Sequence, residues 1–385
     1  MRKIIYLSIL ILLTSLFASA ATKTLSHSAR VMLFTCAPGQ ELYAGFGHSA
    51  LWVSDPATGV DRLYNYGTFD FDTPNFYGKF IRGKLNYMLS VTNVKRFIRE
   101  YDYRKIGVEG QTLNLRHREK QKLYNLLEEN AKPENRLYQY DFFMDNCATR
   151  IRDIVVDAVD GEINFNTPDK NVTFRDLLFP YLTHTPWTKF GINLILGLSS
   201  DAKASPYDYM YLPEHMEHQF GRATITDNGN ERELVSFEKR YLENRLEFKY
   251  NLLYDPAVIF TFFILVILLI SFWESRKNIY LKWFDVVLSS IAVVAGLFLF
   301  FMWVGTDHSA TNYNLNILWL LPAQAIFLFA LKSKNKKKRL VEISMGILFI
   351  VAIAMQFWPQ ETELSFLLLI VVFFIRYLFF YKKIE

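Results

Sequence analysis

Cys147 and His48 are of the types that thiol acyl chemistry needs. Asp145-Asn146 are good N-cap residues, and Ile151, Ile154, Val155 and Ala158 share one helical face, so the pattern predicts a helix over Cys147–Val159. Backbone N–H groups and the helix dipole at that end favour a thiolate, and Arg150 and Arg152 would lower the thiol pKa further. The same N–H groups are suited to an oxyanion formed during acyl transfer. A thiolate needs a base, and His48, on a strand-like run Gly47–Val53, can supply it. A polar group must then orient the imidazole. Asn65 on the neighbouring strand is the first choice, with Tyr64 and Tyr66 as rivals. The plainer readings are an inert buried thiol or a Cys36–Cys147 bridge for the cysteine, and a satisfied core residue for the histidine.

The elements around these residues follow from local pattern. Val31–Thr35 is strand-like, Pro38-Gly39 marks a turn, and Gly47–Val53 and Asp61–Gly67 flank the turn Asp55–Gly59 as a hairpin. Ser90–Arg99 is ambiguous between strand and helix, and Gly107–Leu115 is strand-like. Arg116–Ala131 reads as an amphipathic helix ended by Pro133, Tyr138–Phe143 as a strand, and Arg240–Tyr250 as a charged helix. Asp70–Phe80 is aromatic and rich in turn residues. The class this predicts is α+β, followed by an all-α membrane part.

Composition sets the frame: 385 residues, 51% hydrophobic and 16% aromatic, with a net charge of +5. That excludes a disordered chain, a collagen-like repeat and, with two cysteines, a disulfide scaffold. Nucleic acid is set aside as a partner because the basic excess sits beside long apolar runs. Met1-Arg2-Lys3, an apolar stretch to Phe17 and Ala18-Ser19-Ala20 read as a signal peptide over 1–20, a retained anchor being the alternative. An extracytoplasmic domain over 22–254 and a membrane domain over 255–385 follow. Five apolar runs, 257–273, 284–304, 315–331, 340–358 and 364–380, are candidate spans. The Lys and Arg residues of the intervening loops and tail fall on alternate sides: Arg276, Lys277 and Lys282; Lys332 to Arg339; Lys382 and Lys383. Gly305–Asn314 and Pro359–Glu363 carry none. By the positive-inside rule the C-terminus is cytoplasmic and the first domain lies outside, as the signal peptide requires.

Gly47-His48-Ser49-Ala50 followed by Asp145-Asn146-Cys147-Ala148-Thr149-Arg150 resembles the circularly permuted papain-like group, which includes NlpC-like proteins and the lecithin:retinol acyltransferases. In that group the strand histidine precedes the helix cysteine. The second histidine of the retinol-type enzymes has no counterpart here. Leu42-Tyr43-x-x-Phe46-Gly47-His48, Tyr64-Asn65-Tyr66-Gly67, Asp141-Phe142-Phe143-x-Asp145-Asn146-Cys147, five spans, and an outer loop with Asp307-His308 and Asn312, Asn314 and Asn316 together resemble the Lnb-type lipoprotein N-acyltransferases of Bacteroidota. The resemblance covers nearly all of the mature chain. It implies a permuted papain-like periplasmic domain on the bacterial inner membrane. The implied reaction carries an acyl chain from a phospholipid, via a Cys147 thioester with His48 as base, to the α-amine of a diacylated lipoprotein. No cofactor is implied.

Other features are weighed beside this. Asp307, His308 and Asn312 would bind a head group or shape the mouth of an acyl pocket, unless they only solvate a short loop. Arg150 would contact phosphate or form a helix-surface salt bridge. Glu214-His215-Met216-Glu217-His218 lacks a third ligand at recognisable spacing, so no metal is expected. Gly47-His48-Ser49-Ala50-Leu51 fails the serine nucleophile elbow. The competing functions are a cell-wall amidase using the same pair and a non-enzymatic membrane scaffold.

Overall fold

The computed structural model describes residues 23–384; the proposed signal peptide over 1–20 lies outside the described residues. Six strands come first: β1 Arg30–Cys36, β2 His48–Asp55, β3 Val60–Thr68, β4 Asn86–Thr92, β5 Val108–Leu113 and β6 Leu137–Gln139. A small sheet follows from β7 Glu162–Asn164, β8 Thr224–Asp227 and β9 Asn230–Glu233, and then β10 Val235–Leu242. The main antiparallel sheet runs in the order β10-β5-β1-β2-β3-β4-β6.

Period-2 alternation splits this sheet between two cores. Val31, Leu33, Leu51, Val53, Tyr64 and Tyr66 are buried with Leu123 and Leu127 of the helix His117–Asn130 and Ile151 and Val155 of the helix Cys147–Ala158. Met32, Phe34, Cys36, Ala50 and Leu63 pack on the other side with Phe97 and Tyr101 of the helix Val94–Tyr103. The ambiguous stretch Ser90–Arg99 is both elements in turn. It divides at Asn93, whose side chain caps the helix by accepting from the Arg96 N–H at 2.9 Å.

The charged helix expected over Arg240–Tyr250 does not form. Residues 235–242 are instead the edge strand β10, because β5 offers an open edge and Arg240 pairs across it with Glu109 at 2.5 Å. The chain then runs irregularly to Leu252. The strand expected over Tyr138–Phe143 is shorter, Leu137–Gln139, followed by a tight loop closed by the Asp141↔Asp145 bridge.

Each of the five apolar runs folds as helix. Pro256–Lys277, Lys282–Val304 and Leu364–Ile384 are long and apolar enough to cross a membrane. The run 315–331 is broken into Ile317–Leu320 and Pro322–Lys332, since Pro322 has no N–H to continue the first turn. The fourth helix, Lys337–Ala354, begins in the basic loop and stops short of Trp358. Arg376 is fully buried among these helices, bonded to Glu274 at 2.5 Å, Asp285 at 2.6 Å and Ser271 at 2.9 Å.

The loop from Gly305 to Asn314 joins the two halves. Asn314 Nδ2 donates to the Leu194 and Ile195 carbonyls at 2.8 and 2.9 Å. Ser199 Oγ and Ser200 Oγ donate to the carbonyls of Ser309 and Ala310 at 2.7 and 2.9 Å. Ser309 Oγ donates to Asp141 Oδ2 at 2.5 Å.

Candidate active site

The site forms where β2 begins and β3 ends, against the N-terminus of the Cys147–Ala158 helix. Asn146 makes that terminus. Its Oδ1 accepts from the N–H groups of Ala148 and Thr149 at 2.8 and 3.0 Å, and Thr149 Oγ1 accepts from the Asn146 N–H at 2.8 Å. Asn146 Nδ2 donates to the carbonyls of Phe142 and Tyr211, both at 2.8 Å, so the cap is fixed from both sides. Asp141 closes the preceding loop by accepting from the Phe143 and Met144 N–H groups, each at 2.9 Å. With two of the first amides taken by the cap, the Cys147 N–H has no acceptor among the described residues and is the helix-end donor left for an oxyanion.

His48 opens β2, and Nε2 of its ring lies 2.5 Å from Asn65 Oδ1. With Nε2 taken by Asn65, Nδ1 is the ring nitrogen left for the Cys147 thiol, whose charge acts on the ring. Burial opposes ionisation of the thiol. The charge and hydrogen bond of His48, with the N–H groups of Ser49 and Ala148, outweigh it and hold Cys147 below its ordinary pKa. Burial likewise disfavours the imidazolium, but the thiolate, the hydrogen bond to it and Asn65 raise His48 above its ordinary value. Each group thus favours the charged form of the other.

Two glycines allow this approach. Gly47 has φ +79°, and a Cβ there would sit 2.7 Å from the Cys36 carbonyl oxygen. Gly67 has φ +81°, and its missing Cβ would meet Cys147 Cβ at 3.4 Å, within the register shift between Asn65 and Thr68 in β3.

The rivals of Asn65 are committed elsewhere. Tyr66 Oη accepts from Asn130 Nδ2 at 2.8 Å, and Tyr64 Oη donates to Glu128; both rings are buried beneath the helix His117–Asn130. Cys36 and Cys147 are both free thiols. Burial pushes the Cys36 thiol well up, and it bonds Tyr101 instead. Arg150 takes the salt-bridge alternative: it grips Asp145 with two bonds, 2.5 and 2.7 Å, and its guanidinium lies 3.6 Å from the Tyr138 ring centroid. Arg152 reaches Asp153 and the Tyr207 carbonyl, and the groups that lower the Cys147 pKa are His48 and backbone amides rather than these arginines.

Above Cys147, His48 and Asn65 is a cavity of about 490 Å³. Its walls are largely aromatic, among them Phe46, Phe69, Phe71, Phe80, Tyr140 and Phe142. His308 is the one residue of the outer-loop trio that lines it, its Nε2 3.0 Å from the Phe80 carbonyl. Asp307 faces Lys84 at 3.9 Å, and its N–H donates to the Arg82 carbonyl at 3.0 Å. The Asn312 carbonyl accepts from the Ser199 N–H at 3.5 Å, away from the cavity. Sequence reasoning assigned no role to Asp141, Ser309 or the aromatic run after Gly67. The density of rings over Phe69–Phe80 was the available signal.

Two family models match the chain, in the order of its two halves. The Lnb N-terminal periplasmic domain covers residues 17–180, and the Lnb transmembrane domain covers 247–384. No curated protein and no solved structure matches it.

Proposed function

The chain belongs to the Lnb family, and from that premise we propose that it transfers a fatty acyl chain from a phospholipid, through a thioester on Cys147, to the α-amino group of a diacylated lipoprotein cysteine. The observation that carries the reading is that Cys147, His48 and Asn65 line one aromatic-walled cavity together, with His48 Nε2 2.5 Å from Asn65 Oδ1. We place the periplasmic domain in a permuted papain-like arrangement on the bacterial inner membrane, with five spans and a cytoplasmic C-terminus. The histidine strand preceding the cysteine helix and the alternating loop charges support this.

The thiolate attacks the ester carbonyl of the phospholipid, and the oxyanion forms beside the Cys147 N–H. Collapse breaks the C–O bond, and the His48 imidazolium gives its proton to the departing lysophospholipid oxygen. This leaves an acyl thioester and a neutral imidazole. The lipoprotein amine then attacks the thioester carbonyl while His48 takes an amine proton. The C–S bond breaks, and the amide leaves behind the original thiolate–imidazolium pair. The balance is ester plus amine giving amide plus alcohol. Asn65 holds the ring in line through both halves. The apolar walls suit an acyl chain better than a cell-wall glycopeptide.

The test incubates the purified protein and its Cys147→Ala variant with phospholipid vesicles and a diacylated lipopeptide, reading intact masses of peptide and protein. An acyl gain on the peptide amine that requires Cys147 is expected. No acyl gain by peptide or protein, from material shown active on another substrate, would overturn the reading in favour of the amidase.

A further inference from the structure

We propose that the segment Phe69–Lys84, with Leu42 and Tyr43 beside it, is a membrane-inserted doorway through which a phospholipid acyl chain passes from the leaflet to Cys147 without crossing water. The proposal rests on the lipid reading of the site and names its access route.

The segment is an exposed apolar surface at the mouth of the catalytic cavity. Tyr77 is 75% exposed, Tyr43 65%, Phe71 64% and Leu42 62%, and Phe80 and Ile81 are also open. A water-facing domain has no reason to collect so many rings in one patch. The rings are organised: Phe69 contacts Phe71, Phe76 and Tyr87, and Phe76 stacks with Phe80. The inner members, Phe69, Phe71 and Phe80, line the same cavity as Cys147 and His48, so the outer patch and the catalytic floor are one continuous apolar surface.

Its height is fixed by the membrane domain. The Arg82 carbonyl accepts from the Asp307 N–H at 3.0 Å, and the Phe80 carbonyl lies 3.0 Å from His308 Nε2. An added Cβ on Gly83 would sit 3.2 Å from the Asp307 carbonyl carbon, so the two backbones touch. Asp307 and His308 follow directly on Lys282–Val304, a helix long and apolar enough to cross a membrane. The patch therefore rests at the end of that helix, at the level where a leaflet begins. Lys79, Arg82 and Lys84 alternate with the rings, and Arg82 and Lys84 are exposed. Basic residues among aromatic ones at this level match a phospholipid surface, with rings among the acyl chains and cations at the phosphates.

The test places an environment-sensitive fluorophore on Tyr77→Cys, and separately on Ile81→Cys, in the full chain carrying Cys147→Ala. Cys36 is buried and stays unlabelled. After reconstitution in vesicles, both labels are expected to shift to the blue and to be quenched by nitroxide on lipid chains. A label on Asn228→Cys, at the far hairpin tip, is not. In a second arm, phospholipid with a photoreactive acyl chain is irradiated with the same protein, and adducts are expected on peptides spanning 69–85. Labels at 77 and 81 as wet as that at 228, or adducts confined to the membrane helices, would overturn the proposal. Neither arm requires turnover, so failure of the doorway and failure of the acyltransferase reading are separate results.

Discussion

Asn65→Ala removes one bond, and the structure says what should follow. Asn65 Oδ1 meets His48 Nε2 at 2.5 Å, and the ring it holds is what lowers the Cys147 pKa most. A hydrogen bond to a charged group is worth about 1.5–3 kcal/mol. At ~1.4 kcal/mol per tenfold, thioester formation should slow by roughly 10- to 150-fold. The pH profile carries a sharper signature. Asn65 helps hold the His48 pKa up, so without it the imidazolium is lost at lower pH and the alkaline limb moves down. A weaker imidazolium then holds the thiol down less, so the acid limb moves up. The bell should narrow from both sides. Single-turnover acylation and iodoacetamide alkylation of Cys147, each followed by intact mass across pH, measure the two effects. A variant that acylates within about twofold of the parent, a difference under ~0.5 kcal/mol, with unmoved limbs would refute the role of Asn65.

Gly47→Ala combines a left-handed backbone with a Cβ 2.7 Å from the Cys36 carbonyl oxygen, so unfolding should be easier by at least ~1–3 kcal/mol in denaturant titration. Arg376→Leu leaves the carboxylates of Glu274 and Asp285 buried without their cation, and should cost ~3–5 kcal/mol, read as a lower midpoint of thermal unfolding in detergent. Burial, with Glu109, Glu238 and Glu214 nearby, raises Glu217 from 4.5 to about 7. Its folded pKa lies above its unfolded one, so the stability it contributes is full below 4.5 and lost as pH rises through about 7; Glu217→Gln should flatten that part of the stability–pH curve.

The meeting of Cys147, His48 and Asn65 at one cavity was legible in the sequence because each sits in an element with a strong local signature. Asp145-Asn146 before a helical stripe marks Cys147 as a helix start, and alternation in Tyr64-Asn65-Tyr66 sends Asn65 to one side and the tyrosines to the other. Choosing Asn65 among them needed the tertiary fact that the tyrosines lie under the His117–Asn130 helix. The helix expected over Arg240–Tyr250 failed because the charged end of an edge strand and a solvated helix have the same composition. Asn228-Gly229, with φ +50° and +77°, is the hairpin signal that would have exposed β8 and β9 and cast doubt on a helix soon after. Arg150 was ambiguous because its partner Asp145 lies across the helix start, where spacing rules for helix faces do not apply. The partnerships of the outer loop were invisible, since they join positions more than a hundred residues apart.

Those long-range bonds bear on why a thiol site should be carried on membrane helices at all. A flexible tether would confine the domain to the membrane yet leave the cavity free to turn away from the leaflet. Here the loop after Lys282–Val304 binds the domain at three separate places: Arg82 and Phe80 beside the cavity mouth, Asp141 under the loop before Cys147, and the stretch from Leu194 and Ile195 to Ser199 and Ser200. Three points fix rotation as well as height. The bond from Ser309 to Asp141 also reaches the loop that presents Cys147, since Asp141 closes the turn on which the Asn146 cap is built. For the proposed reaction, whose donor and acceptor would both be anchored in one leaflet, a fixed mouth would turn two-dimensional confinement into productive encounter. The membrane domain thus sets the orientation of the loop that presents Cys147, which anchoring alone does not.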